Sequence, residues 1–474
     1  MVPRRAPVSR VEKPRNRLTR TCVLPYIIGI YVFCGGASLV KRNPAVALVL
    51  VVGLFLWSVT TARPVVAAEA LTLDEYFAAA LKRSEVVANQ AELIRQAEES
   101  YKQADAALYP TVSGVAAYTR QEPVPESESA TSNFFNSQTV TKVMATQPLF
   151  RGFREFAALR QTKALIGAQN QDYLNARTQL FKDVVQNFYA VLAIEQDLRN
   201  LDAEIKQDLD REKELNARVR IGRSRIGEVL TVQSNISTLR AEVQHQEGQL
   251  SIARQAFAFL SGLEPATPLR DTEDLPARLE PLDDYLARLE LRPDVKAGQQ
   301  RLTAAQENIR VARGARLPSV DLTANRYINR TGTLRDSDWD IGIALTVPIY
   351  TGGLLKSQIG TAVSQRTQAE LNLTQIRRQA VQEISATHQS VVYDQSQLDA
   401  LEKSTEAARK NYEAQRHDYR FGLVTNLDVL QALTTYQESQ RALDRARFTT
   451  KTDYLTLQAA AVRRPPPPPE DSPP

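Results

Sequence analysis

Apolar positions along this chain alternate between a helical and a strand-like spacing, and the whole series of spacings occurs twice. From Leu73 to Leu108 the spacing is helical, and Pro110 ends the run. Over Thr111–Arg120 it tightens to every second residue, with Val112, Gly114, Ala116 and Tyr118 on one face, which predicts a strand. The polar stretch Glu122–Gln138 predicts a loop. Thr139–Gln147 predicts a second strand closed by Pro148, where no ladder donor is needed. From Gly152 to Gly222 there is no proline, and Gly167 is the only internal glycine. A helix of about 70 residues spans roughly 105 Å. Within it Val184, Val191, Leu198 and Ile205 recur every seven residues, as do Leu174, Phe181 and Phe188. That period predicts a left-handed supercoil with neighbouring helices. A return helix is expected from about Gly227 to Leu260, capped by Ser261-Gly262.

Residues 263–281 hold several prolines and read as a linker, after which the plan repeats. Asp284–Arg316 predicts a helix ended by Pro318, Val320–Ile328 a strand, and Arg330–Asp338 a polar loop. Trp339–Val347 predicts a strand with Ile341, Ile343, Leu345 and Val347 on one face. A second rod runs from Gly352 to Gly422, and Leu427–Val462 returns. The punctuation matches at an offset of 200 residues: Pro148-Leu-Phe-Arg-Gly152 with Pro348-Ile-Tyr-Thr-Gly352, Arg220-Ile-Gly222 with Arg420-Phe-Gly422, and Glu228-Val-Leu230 with Asp428-Val-Leu430. Val184 with Ile384, Val191 with Val391, Leu198 with Leu398 and Leu201 with Leu401 keep the register between the marks. A duplicated helical unit of this size makes architecture the main message.

The net charge of +5 is set by one segment. Residues 1–68 carry ten basic residues and one acid, so the remainder is net −4. The basicity is therefore no argument for a nucleic-acid partner. Lys41-Arg42, the apolar run Ala45–Trp57 and Val66-Ala67-Ala68 before Glu69 predict a cleaved signal segment over 1–68. Both cysteines, Cys22 and Cys34, lie in that leader, which leaves the exported part without a disulfide, a thiolate metal site or a cysteine nucleophile. His245, His388 and His417 stand alone on helices and read as solvent-facing. No nucleophile elbow, phosphate loop or metal spacing is present, so neither a cofactor nor catalysis is expected. Residues 463–474 read as a proline-rich disordered tail.

Four half-apolar strands cannot bury a core, and their edges are a liability until closed. Three copies of the chain supply twelve strands, enough for a closed barrel, the only sheet that spans an outer membrane. Tyr118, Tyr327 and Trp339 are candidates for its interface girdle. A rod of roughly 100 Å is about what a chain needs to cross much of a periplasm.

The chain resembles the TolC-like outer-membrane efflux protein family. The resemblance rests on the duplicated Pro-Leu-Phe-Arg-Gly and Pro-Ile-Tyr-Thr-Gly-Gly, on Leu291-Arg-Pro-Asp-Val295, on Leu317-Pro318, and on Tyr419-Arg-Phe-Gly-Leu-Val-Thr-Asn-Leu-Asp-Val-Leu430. It covers about residues 70 to 462. It implies a mainly α fold with a small β part. Repeat one spans 69–262 and repeat two 282–462, assembling as a homotrimer with a twelve-stranded barrel and a twelve-helix tunnel. It also implies an outer-membrane location, a periplasmic adaptor, and an inner-membrane transporter of RND or ABC type. Two departures stand out. Arg83-Ser84-Glu85-Val86 replaces the proline-bearing motif of repeat two, so that helix is expected to run unbroken, and Phe153 replaces the second glycine of repeat one.

The resemblance places a gate at the rod tips. The family's gate tyrosine falls on Tyr419 and its carboxylate partner on Glu228. The gate arginine falls on Val424, leaving Arg420, Arg223 or Arg225 as substitutes. Of two constricting aspartate rings the first falls on Asp428 and the second on Gln431. Asp428 also fits a plain helix-start role. The tip turns Arg220, Gly222, Arg223, Arg225, Gly422, Leu423 and Val424 are the expected adaptor contact. The alternatives are a non-conducting exported coiled-coil protein, such as an adaptor with one hairpin, and an intracellular helical scaffold.

Overall fold

A computed structural model describes residues 70–120, 137–276, 278–331 and 336–463. The expected leader over 1–68, most of the loop 122–138 and nearly all of the tail lie outside the described residues.

Repeat one holds α1 (Leu73–Arg83), α2 (Glu85–Ala106), β1 (Thr111–Arg120), β2 (Ser137–Phe150), α3 (Arg154–Arg220) and α4 (Ile226–Ser261). Repeat two holds α5 (Leu282–Leu286), a 3₁₀ turn (Leu289–Leu291), α6 (Pro293–Gly314), β3 (Ser319–Arg330), β4 (Trp339–Thr346), α7 (Leu354–Arg420) and α8 (Asn426–Ala460). The rods α3 and α7 have 67 residues each, in register at the offset of 200, and at 1.5 Å per residue each is about 100 Å long.

Two helix expectations need correction. The first helix is broken after all. Ser84 takes an extended conformation, and its hydroxyl accepts the Val87 N–H at 3.3 Å, so Ser84 starts a new helix as a proline would. The expected helix over 284–316 is three pieces. Arg292 precedes Pro293, which disfavours helical geometry at the arginine and opens α6 at its first position. The 263–281 linker lies along the rods. Asp271 accepts from Tyr189 Oη at 3.1 Å and from Lys451 Nζ at 2.6 Å.

The main core sits at mid-height. Leu73, Tyr76, Phe77 and Ala80 of α1 face Phe181, Val184, Val185 and Phe188 of α3, with Phe257 of α4 and Leu455 of α8. Tyr76 stacks on Phe257 at 4.5 Å, and Phe77 meets Phe181 edge-on at 5.3 Å. Repeat two rebuilds a thinner version from Tyr285, Ile384, Val391 and Leu457. There His388 is half-buried rather than solvent-facing, 5.5 Å from the Tyr285 ring and 3.0 Å from the Glu280 carbonyl.

Seventeen residues of α3 are buried against six of α7. The reason is position. α3 packs on α2, α4, α6 and α8, whereas α7 packs on α6 and α8. Towards the tips the four helices therefore form a layer in the order α4, α3, α8, α7.

The strands form one antiparallel sheet in the order β1-β2-β3-β4. Residues directly opposite share a face. One face carries Val112, Ala145, Leu322, Ile341, Ile343 and Leu345, the other Ser113, Thr146, Thr323, Asn325 and Asp340. Pro148 lies within β2 rather than at its end, at an irregularity where the ladder passes from Pro148 to Phe150. Tyr118 and Trp339 stand on the apolar face. Tyr327 departs from the girdle expectation, because its hydroxyl donates to Asp340 Oδ2 at 2.7 Å on the polar face.

Candidate functional site

Both rods end in the same turn. Gly222 has φ 71° and Gly422 φ 74°, the left-handed geometry that a glycine takes without strain. Beyond it the Arg223 N–H reaches the Arg218 carbonyl at 2.8 Å, and the Leu423 N–H reaches that of Asp418 at 3.1 Å. The turns set the start of each return helix, and there the repeats diverge. Thr425 and Asp428 form a reciprocal capping box, with Thr425 Oγ1 donating to Asp428 Oδ2 at 2.6 Å and the Thr425 N–H at 2.8 Å. These two bonds hold the exposed Asp428 carboxyl below its usual range. The equivalent pair is Arg225 and Glu228. Arg225 caps nothing, and Glu228 instead accepts from Ser224 Oγ at 2.6 Å.

Tyr419 sits between two guanidinium groups of α3, with Arg211 Cζ 4.3 Å and Arg218 Cζ 4.6 Å from its ring centroid. Arg211 also places Nε and Nη2 at 3.0 and 2.6 Å from Oδ1 of the buried Asn426, at the start of α8. Glu214 holds both arginines, accepting from Arg211 at 2.8 Å and Arg218 at 2.9 Å. Burial pushes the Glu214 carboxyl up, but Arg211 and then Arg218 outweigh it and keep it low. Beneath lie Leu215, Val229, Val232, Ile236 and Leu430. One stretch of α3 thus grips the end of α7 and the start of α8 together.

The sequence-expected site residues fall around this grip in different ways. No hydrogen bond joins Glu228 to Tyr419 within the protomer. Arg220, Arg223, Arg225 and Arg420 are exposed and form no ion pair among the described residues. Gly222, Gly422 and Leu423 are exposed at the tip, and Val424 is half-buried. Ile221, Ile226, Phe421 and Leu427 also face outward there. Gln431 lines an open groove of about 650 Å³ between α4 and α8, with Leu230, Ser234, Asn235, Leu427 and Thr434. Arg211 and Arg218 escaped the sequence reading. Their signal was a seven-residue spacing on the stripe of α3 that carries Leu215.

Residues 77–263 and 286–461 match the profile of the family described as outer membrane efflux protein. The chain belongs to this family. It is 24% identical over 381 residues to the outer membrane protein TolC of Escherichia coli (strain K12), covering 76% of each chain. It is 25% identical over 319 residues to the outer membrane efflux protein BepC of Brucella suis biovar 1, covering 64% of this chain and 68% of that one. Its fold matches the outer membrane protein VceC of Vibrio cholerae with a TM-score of 0.72 at 21% identity, over 82% of this chain and 95% of that one. It matches CusC with the same TM-score at 18% identity, over 82% and 91%. This outer membrane efflux protein therefore has the trimeric barrel fold of outer-membrane channels. It is a duct in the outer membrane with its helices in the periplasm, not an enzyme.

Proposed function

We propose that the chain is the exit duct of a tripartite efflux or type I secretion system, gated at the rod tips. A periplasmic adaptor docks there, and an inner-membrane transporter of RND or ABC type supplies the energy. The observation that carries this reading is the open sheet at the end of two equal rods. Among the described residues its outer strands β1 and β4 each lack a partner on one side, and β4 is exposed along its whole length. Three copies joined β4 to β1 close a twelve-stranded barrel without leaving an edge. The layer of helices has free flanks too. Leu371, Val381 and Tyr393 of α7 and Ile252 and Phe259 of α4 are exposed apolar residues for a neighbouring copy to cover.

The gate reading assigns Tyr419 and its α3 arginines the task of holding the tip of the second hairpin inward, with Glu228 and Arg420 left for contacts to a neighbouring copy. Three Asp428 carboxylates around one axis form a cation-favouring ring, because like charges converging on a narrow pore raise the local cation concentration. Gln431, one turn on, adds no charge. The adaptor surface is the exposed turn Arg220–Arg225 with Gly422, Leu423 and Val424, where apolar side chains alternate with arginines.

Purified protein lacking residues 1–68, placed in a planar bilayer, tests the reading. Discrete conductance steps that grow when the Tyr419 contacts are removed support a gated duct. Folded protein without conductance, with or without those contacts, returns the case to the non-conducting coiled coil.

A further inference from the structure

The sheet carries a charged cluster that the tip does not explain. On its polar face the Tyr327 ring lies under two cations from two strands. Arg330 Cζ is 4.2 Å from the ring centroid, and Lys142 Nζ is 5.8 Å away. Arg330 reaches that face through a bulge. Thr141 pairs with Asn329 while Lys142 pairs with Tyr327, so Ile328 is an extra residue. An extra residue reverses the alternation beyond it, as bulges do where a side chain is re-aimed. Without it Arg330 would share the face of Ile328. One anion stands opposite: Asp340 accepts from Tyr327 Oη and from Asn325 Nδ2, each at 2.7 Å. The nearby Arg326 faces the other way and pairs with Asp338 at 3.4 Å. Among the described residues the cluster is therefore net positive, one charge per copy. It lies in the half of the sheet farther from the rods, at the end where the sequence places its two expected loops.

We infer that Lys142 and Arg330 form a cationic collar at the exit end of the barrel, one that attracts anions and sets anion access from the outside. The inference rests on the duct reading, which turns the apolar face to lipid and the polar face to the lumen. Repeated by threefold symmetry, the collar brings six cations to one level against three carboxylates. A ring of fixed charges in a narrow polar bore concentrates counter-ions. Tyr327 fixes the aim of the two long side chains, since a cation over an aromatic face is held in one orientation. The collar is opposite in sign to the Asp428 ring proposed at the far tip.

The test uses the processed full-length trimer in a planar bilayer, with sodium tripolyphosphate as the probe on one side at a time. The probe should reduce current when added from the loop side and do so far less from the tip side. In Lys142→Gln/Arg330→Gln the loop-side half-blocking concentration should rise at least about tenfold. Lys142→Arg/Arg330→Lys should keep the block, which separates loss of charge from loss of fold, and Arg326→Gln should not change it. Equal loop-side block in wild type and the double glutamine variant overturns the collar while leaving the duct intact. No conductance in any folded variant overturns the duct reading, and the collar with it.

Discussion

The guanidinium of Arg211 lies 4.3 Å from the ring centroid of Tyr419, although more than 200 residues separate the two in sequence. Arg211 also forks onto Asn426, so it touches the last turn of α7 and the first of α8. A cation over a tyrosine face contributes about 0.5–2 kcal/mol, more as it is desolvated. Arg211→Ala with Arg218→Ala should loosen the tip of the second hairpin and raise single-channel conductance. Arg420→Ala should change it little, because Arg420 is exposed and forms no ion pair among the described residues. The opposite ranking would assign the latch to Arg420 and a neighbouring copy.

Asp428 has two candidate tasks, and they separate experimentally. Its carboxylate closes the capping box with Thr425, which keeps it ionised below the ordinary carboxylate range. Asp428→Asn removes the charge and weakens the cap, whereas Thr425→Ala weakens the cap and keeps the charge. Reversal potentials in a salt gradient should show reduced cation preference in Asp428→Asn and near wild-type preference in Thr425→Ala. Equal loss in both would make Asp428 a capping residue alone.

Gly152 and Gly352 occupy equivalent turns, yet they differ in what surrounds them. A Cβ on Gly152 would lie 2.2 Å from the Gly314 carbonyl oxygen, while one on Gly352 meets nothing within 4 Å in the protomer. Both have positive φ, so each alanine substitution costs about 1–2 kcal/mol in backbone strain. Gly152→Ala adds a clash of the new methyl group with the Gly314 backbone, which can be relieved only by moving the backbone. Yields of folded trimer should collapse for Gly152→Ala and fall modestly for Gly352→Ala. Similar yields for both would show that the Gly314 approach yields readily.

The contrast between those glycines illustrates what the sequence made legible. The 200-residue register, both rods, the four strands and the tip glycines follow from local patterns, since proline, glycine and apolar spacing act on a chain's own neighbours. The grip on Tyr419 did not follow, because Arg211 and Arg218 look like ordinary solvated charges until the tip of the second hairpin is laid against α3. The break at Ser84 was hidden for a related reason. A serine is compatible with a helix interior and with a cap, and only the chain's path decides. The bulge at Ile328 leaves no mark in composition at all.

Mid-height packing sets a pH dependence. The carboxyl groups of Asp394 of α7 and Asp453 of α8 are neighbours, Asp394 Oδ2 is buried without a hydrogen-bond partner among the described residues, and the nearby Lys451 is engaged by Asp271. Burial first, and then the charge of Asp394, push Asp453 up to about 6 from an ordinary 3.8. The folded chain thus retains a proton that the unfolded chain has already released between those values. The contribution of this pair to stability is greatest below about pH 4, falls as the pH rises to about 6, and stays reduced above it. The loss amounts to about 1–3 kcal/mol once partial solvent screening is allowed for. Asp453→Asn offers Asp394 an amide donor in place of a second charge, so its melting temperature should exceed wild type at pH 7.5 and converge with it near pH 4. Parallel melting curves for the two proteins across that range would mean that the pair is already relaxed by water and carries no linkage.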